Sequence, residues 1–418
     1  TLPGGMMSDK ANTQEFISFY QGGEKIDGSD CLEKIKSKIS ELSNVKNIHF
    51  LLGAGTSSGA IPSMKEMQKK ISTEIGKTDN NALIDLYKSI KSNNLEKTLN
   101  ILYAKKHYLE GCVELDASAA KDEVKDNGKS ERDIVDELIK YIQDQMFLKI
   151  NIDLSYTTAT STLDLYKNFY QKVVLRNKDL SRVNVFTTNN DLFNEKALDN
   201  LNINYNNGFG GGHEKVFNPA RFRYTFSKRI DANLEKFEPI ENMVYLYKLH
   251  GSISWIEKEG NSLFNIQEIP VTGGAQKEGG NHVLIYPTPL KQNQSLGSPY
   301  SDLIREFQTK LALPNSVLFI IGYSFSDEHL NNIIYQTLAS NSSVSIVIFG
   351  EYANAPLSKI NDNRIYRIFG KNFAEEKIHY FEYIVNSILP NSDENKDKTL
   401  IDNFIEALKG VTKGGGVQ

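Results

Sequence analysis

Residues 45–52 form an apolar-rich run that stops abruptly at Gly53-Ala54-Gly55 and passes at once into a helical pattern. Strand, glycine turn and helix in that order describe a βα unit, whose parallel strand is buried by helices on both faces. In the helical part Ile61, Met64, Met67, Ile71 and Ile75 recur at spacings of three and four, so they share one face. Pro62 falls in the first turn of that pattern, where a missing N–H is harmless.

Further apolar runs at 183–187, 201–205, 244–249, 283–286, 316–321, 343–349 and 365–369 read as strands, several of them without the alternation of a half-exposed sheet. Helical stripes accompany them: Leu330, Ile333, Ile334 and Leu338, and then Phe381, Ile384, Val385 and Ile388. The fold class that follows is α/β, a Rossmann-like doubly wound and mostly parallel sheet. Between the first βα unit and residue 183 the period stays helical, through Leu95, Leu99 and Leu102, then Ile134, Leu138, Ile142 and Met146, then Leu163, Leu165, Phe169 and Val173. This predicts a large helical insertion after the first βα unit, broken by a charged, small-residue loop over 114–132.

The segment 206–238, with Gly208, Gly210, Gly211 and Gly212, reads as an irregular excursion. The expected organisation is appended sequence at 1–10, the first part of the Rossmann domain at 11–78, the insertion at 79–180, the remainder of the domain at 181–390, and a C-terminal helix and tail at 391–418. In that last part Leu400, Ile401, Phe404, Ile405 and Leu408 share a face and Gly410 serves as the stop.

Charge and cysteine content narrow the chemistry. Lys and Arg total 48 against 52 Asp and Glu in 418 residues, so no global cationic field draws the chain to nucleic acid or to an anionic membrane. No apolar run approaches the ~20 residues a membrane helix needs, and a cytoplasmic protein is expected. The two cysteines, Cys31 and Cys112, cannot form a four-thiolate zinc site, and no metal site is expected.

Four strand ends carry polar groups. Gly53-Ala54-Gly55-Thr56-Ser57 follows the first strand, where small residues let backbone N–H groups approach a pyrophosphate at a helix N-terminus. A tight turn needs glycines for conformation alone, and the GxGxxG spacing is not met. Thr187-Thr188-Asn189-Asn190-Asp191 follows the 183–187 strand, at the carboxyl edge where open α/β sheets bind ligands, and one of its amide or acid side chains can equally cap the next helix. Lys248-Leu249-His250-Gly251-Ser252 ends another strand, with a histidine suited to acid–base work beside a glycine that permits close approach. Ile321-Gly322-Tyr323-Ser324-Phe325-Ser326-Asp327 is a second glycine turn, in which Ser326 or Asp327 can cap the Leu330 helix.

In this order the motifs resemble those of sirtuins. Gly53-Ala54-Gly55-Thr56-Ser57 with Gly59, Ile61 and Pro62 is similar to the sirtuin NAD loop, with Ala60 inserted. Thr188-Asn189-Asn190-Asp191 is similar to the Gln-Asn-Ile-Asp motif, with Thr in place of Gln. Leu249-His250-Gly251 matches the catalytic His-Gly, and Gly322-Tyr323-Ser324 stands where sirtuins carry a Gly-Thr-Ser turn. The longer forms, Gly-Tyr-Ser-Phe-Ser-Asp and Lys-Leu-His-Gly-Ser-Ile-Ser-Trp, resemble the sirtuin-like NAD hydrolases of bacterial antiphage defence.

The resemblance implies NAD as substrate without zinc. It implies catalytic roles for Asn189, His250 and Asp191, pyrophosphate contacts from Gly53, Ala54, Gly55, Thr56 and Ser57, and further nucleotide contacts from Thr188, Gly322, Tyr323 and Ser324. It also implies homo-oligomerisation and a HerA-type ATPase partner. Two other readings stay open: a sensor or scaffold that binds NAD or ADP-ribose without cleaving it, and a deacylase that works without zinc.

Overall fold

The computed structural model describes residues 16–391 apart from 27, 29, 93, 115–129, 178, 232–235, 259–264, 276–280 and 285–297. Residues 1–10, most of the expected 114–132 loop, the end of the expected 283–286 strand and the expected helix around Leu400 lie outside the described residues.

The first strand arrives earlier than the apolar runs suggest. β1 (Phe16–Gln21) and β2 (Glu24–Lys25) form a hairpin, and α1 (Cys31–Ser43) follows before β3 (Asn47–Leu52). β1 escapes a search for continuous runs because it alternates, with Ile17 and Phe19 buried between exposed Phe16 and half-buried Ser18, and because it lies near the sheet edge. β3, by contrast, is buried at every position.

Helices then dominate: α2 (Met64–Ile75), α3 (Asn81–Ile90), α4 (Leu95–Glu114), α5 (Glu131–Ile150) and α6 (Thr157–Val173). α2 begins after Pro62, which therefore precedes the helix and does not sit in its first turn. Ser63 is the N-cap, and it exchanges reciprocal bonds with Glu66 in a capping box. Helices α2 to α5 share a core of their own that includes Met67, Ile71, Tyr87, Leu99, Leu138 and Met146, whereas α6 packs through Tyr166, Phe169 and Tyr170 into the core of the main sheet.

The remaining strands and longer helices are β4 (Val183–Thr187), α7 (Phe193–Asn200), β5 (Asn204–Asn206), β6 (Phe209–Gly210), β7 (Lys215–Phe217), β8 (Ser227–Asp231), β9 (Lys236–Pro239), β10 (Met243–Lys248), β11 (Gly251–Glu257), β12 (Ile266–Glu268), β13 (Asn281–Leu284), α8 (Tyr300–Leu311), β14 (Ser316–Ile321), α9 (Glu328–Ser340), β15 (Val344–Phe349) and β16 (Ile365–Lys371). The expected stripe of Phe381, Ile384, Val385 and Ile388 lies on a short α-helical turn (Phe381–Tyr383) continued by a π-helical one (Ile384–Ile388). Nine strands make the main sheet in the order β2-β1-β16-β15-β14-β3-β4-β10-β5. The pairs from β16 through β5 are parallel, and β1 joins β16 antiparallel. The α/β reading with a mostly parallel sheet holds.

The 206–238 segment is more regular than its glycines suggest. β6 and β7 join β11, β12 and β13 in a second, five-stranded antiparallel sheet, and β8 and β9 form a separate hairpin. Strands of two or three residues are too short to display a period.

The strand order reverses beside β3. From β3 the chain adds β4, β5 and β10 on one side, and later β14, β15 and β16 on the other. The crevice above the carboxyl ends of β3 and β14 is thus the topological switch point, where open α/β sheets take their ligands.

Candidate active site

All four predicted turns meet at that crevice. The turn after β3 and the turn after β14 interlock through their backbones: Gly53 N donates to Ile321 O at 2.9 Å and Gly55 N to Gly322 O at 2.9 Å. A Cβ on Gly53 would sit 2.5 Å from Gly322 O, and one on Gly55 would sit 2.7 Å from Gly322 Cα. Gly322 itself has φ +65°, the left-handed region that favours glycine. The glycines here are required by the packing of one turn on the other.

Thr56 and Ser57 direct their hydroxyls inward. Thr56 Oγ1 donates to Gly53 O at 2.8 Å and lies 2.7 Å from the hydroxyl of Tyr166, and Ser57 Oγ lies 2.9 Å from the same hydroxyl. Ser57 Oγ also donates to Asp191 Oδ2 at 2.9 Å. Tyr166 comes from α6, where it continues the face of Leu163, Phe169 and Val173. Nothing local in the sequence separates it from an ordinary core aromatic.

The turn after β4 locks onto the glycine turn. Thr188 N donates to Leu52 O at 3.1 Å. Asn189 is buried, and its Nδ2 lies 3.1 Å from Gly53 O, 3.1 Å from Thr56 Oγ1 and 3.2 Å from Ser57 Oγ. Asn190 Nδ2 donates to His250 O at 2.7 Å and so ties this turn to the one after β10.

The N-cap of α7 is Leu192, with no side-chain cap bond, so none of the amide or acid side chains of this turn caps the helix. Asp191 stands one residue earlier, and its Oδ1 accepts from Phe193 N at 3.1 Å. Burial pushes its carboxyl above the usual carboxylate range, against the pull of the Lys248 ammonium. Lys248 is fully buried, donates to the Asp191 carbonyl and forms a 2.9 Å ion pair with Glu195. Burial raises the Glu195 carboxyl as well, again opposed by Lys248.

His250 follows at the end of β10, and Gly251 beside it has φ +81°. Its Nε2 is 3.0 Å from Asp327 Oδ2, with the two side chains 15% and 12% exposed. The turn carrying Asp327 is held by Tyr323, whose hydroxyl lies 3.1 Å from Asp327 O and 3.1 Å from Asn331 Oδ1. Ser324 Oγ donates to Ser326 Oγ at 3.0 Å.

Ala54, Gly55, Ser57, Thr188, Asn189, Asp191, His250, Tyr323 and Ser324 line one cleft of about 350 Å³. Its opposite wall was not anticipated: it is formed by Met64 and Met67 of α2 together with Met146 and Ile150 of α5. A second cleft of about 740 Å³ lies across the glycine turn, is lined by Gly55, Thr56 and Gly322, and reaches Gly350 and Glu351 after β15. Gly322 backs this larger cleft, whereas Ser324 faces the smaller one beside His250.

Residues 183–367 match the SIR2-like domain. The matched SIR2-like stretch holds the turns bearing Asn189, His250 and Asp327, while the glycine turn after β3 lies outside it.

No curated protein matches the chain. Among solved structures, a triply substituted Sir2 homologue in complex with 2′-O-acetyl ADP ribose is 13% identical, with 84% of this chain and 94% of that chain covered and a TM-score of 0.37. Sir2 in complex with an inhibitor, 2′-O-acetyl-ADP-ribose and a deacetylated peptide is also 13% identical, over 78% of this chain and 90% of that chain, with a TM-score of 0.26. The fold assignment rests on the strand order described above. Among the described residues, no group of three or more His, Cys, Asp or Glu side chains is placed to hold a metal ion, and no helix is long and apolar enough to cross a membrane.

Proposed function

We propose that this protein is an NAD glycohydrolase that breaks the bond between nicotinamide and ribose. The observation that supports it most directly is the meeting of Asn189 and His250 in one cleft at the switch point of the sheet, against a glycine turn that separates this cleft from a larger one. Two clefts on either side of one turn suit the two halves of a dinucleotide. The match of residues 183–367 to the SIR2-like domain supports the same substrate.

In this reading the nicotinamide ribose lies in the smaller cleft and the adenosine half in the larger, with the backbone of Gly53, Ala54 and Gly55 along the pyrophosphate. Nicotinamide leaves NAD as a neutral molecule, so no general acid is required. The site has only to hold the ribosyl ring, stabilise an oxocarbenium-like transition state and deliver water. Asn189, whose amide nitrogen is engaged by Gly53, Thr56 and Ser57, presents its oxygen to order the water or the ribose. His250 accepts the proton from water or a ribose hydroxyl. Asp191 acts at one remove, holding Ser57 and the start of α7. The Met67 and Met146 wall offers the nicotinamide ring an apolar face.

The same proposal includes the biological setting implied by the resemblance: a cytoplasmic, homo-oligomeric toxic effector of an abortive antiphage system, acting with a HerA-type ATPase. The test is product analysis of NAD incubated with wild type, Asn189→Ala and His250→Ala, each with and without such an ATPase. Nicotinamide and ADP-ribose should appear with wild type and fall by at least ~100-fold in either variant. Intact NAD under every condition would remove the activity, and wild-type rates in both variants would remove the roles given to Asn189 and His250.

A further inference from the structure

We propose that Asp327 is a positioning residue for His250. Its carboxylate holds the imidazole in the Nε2–H tautomer and leaves Nδ1 as the nitrogen that takes up a proton in the cleft. The inference rests on the reading of His250 as proton acceptor given above and deepens it.

The two oxygens of Asp327 face different groups. Oδ1 accepts from His329 N at 3.0 Å and Leu330 N at 3.2 Å, which is the N-cap of α9. Oδ2 is 3.0 Å from His250 Nε2. Capping needs only the first oxygen, so the second contact is not explained by the helix.

The carboxylate cannot swing away without uncapping α9. The turn behind it is fixed as well: Asn331 Nδ2 donates to Phe325 O at 2.8 Å, and Phe325 is held at φ +59°. His250 is gripped from the other side by Asn190 on its carbonyl.

An ionised carboxylate only accepts hydrogen bonds, so the proton in this contact sits on Nε2. No described protein group bonds Nδ1, and that nitrogen keeps its lone pair. The proton drawn from water or a ribose hydroxyl comes to rest on Nδ1 while Nε2 retains its own. The resulting imidazolium then lies against a fixed negative charge, which stabilises it as it forms.

Asp327→Asn separates this role from capping. Asparagine caps a helix about as well as aspartate, but its amide would donate to Nε2 and force the Nδ1–H tautomer. The expected result is a kcat lower by ~100-fold or more, with KM and the thermal midpoint near those of wild type. Adding His250→Ala to Asp327→Asn should cost little beyond His250→Ala alone, because the two residues act as one unit.

The ring ¹⁵N spectrum of His250 supplies a readout independent of turnover: Nε2–H in wild type, Nδ1–H in Asp327→Asn. An unchanged kcat in Asp327→Asn, or an Nδ1–H imidazole in wild type, would overturn the assignment. Should wild type leave NAD intact, the glycohydrolase reading fails, and the tautomer spectrum still decides what Asp327 does to His250.

Discussion

Gly53 and Gly322, about 270 residues apart in the chain, touch so closely that a methyl group on the first would lie 2.5 Å from the carbonyl oxygen of the second. This contact joins the turns after β3 and β14 across the switch point. Gly53→Ala forces backbone against backbone, which no side-chain rotation relieves. We expect a loss of about 1–3 kcal/mol in urea unfolding, the usual cost of overpacking, together with loss of NAD turnover. An alanine variant as stable and active as wild type would show that the two turns can separate freely.

Asn189 has a structural duty beside its proposed chemical one, because its Nδ2 lies 3.1 Å from Gly53 O. Asn189→Ala removes both duties. Asn189→Asp keeps the shape but sets a carboxylate against that carbonyl and the Thr56 and Ser57 hydroxyls. Both variants should release nicotinamide at least ~100-fold more slowly than wild type, and Asn189→Asp should show the lower thermal midpoint at neutral pH than at mildly acid pH, where its carboxyl is neutral. Equal midpoints at both values would mean that the Asn189 side chain does not bear on the glycine turn.

The crevice is legible in the sequence because each of its four turns ends a strand buried on both faces. Such strands print as unbroken apolar runs, as in Val317 to Ile321, and the glycines that follow mark where the chain must turn. β1 is hidden because it alternates beside the sheet edge, and β7 because three residues carry no period. Tyr166, Met67 and Met146 lie on helices whose sequence records only which face is buried. That the buried face of α2 and α5 closes over the turn at Asn189 is a property of how the helices pack on the sheet, and no local spacing encodes it. The contact between His250 and Asp327 is hidden for the same reason, since either residue alone has an ordinary explanation.

Lys248 and Glu195 form an ion pair with both side chains buried, and the same ammonium holds the Asp191 carbonyl. Breaking such a pair by removing one partner leaves an uncompensated charge and costs about 3–5 kcal/mol. Lys248→Met should lose stability on that scale at pH 7.5, and part of the loss should be recovered in Lys248→Met/Glu195→Gln. Burial already raises the Glu195 carboxyl and Lys248 opposes the rise, so without Lys248 it is raised further. The penalty should therefore shrink as pH falls and the carboxyl takes up a proton. Urea unfolding of wild type and both variants at pH 7.5 and pH 5.5 checks this, and a penalty that is the same at both pH values would contradict it.

His49 sits fully buried in the middle of β3, and its ring is tilted against Phe186 at 6.3 Å. Burial, helped by the nearby Lys310 and Arg176 charges, brings its pKa down to about 3. An unfolded histidine titrates near ~6.5. Between these values the unfolded chain binds a proton that the folded chain does not, so stability must fall as pH drops through that window. At pH 5 this one side chain should cost about 2 kcal/mol relative to pH 7.5. His49→Leu removes the titrating group and suits the apolar surroundings. The variant should match or exceed wild type at pH 7.5 and lose clearly less stability on moving to pH 5. If the two proteins lose the same amount, His49 is not the group that makes this fold acid-sensitive.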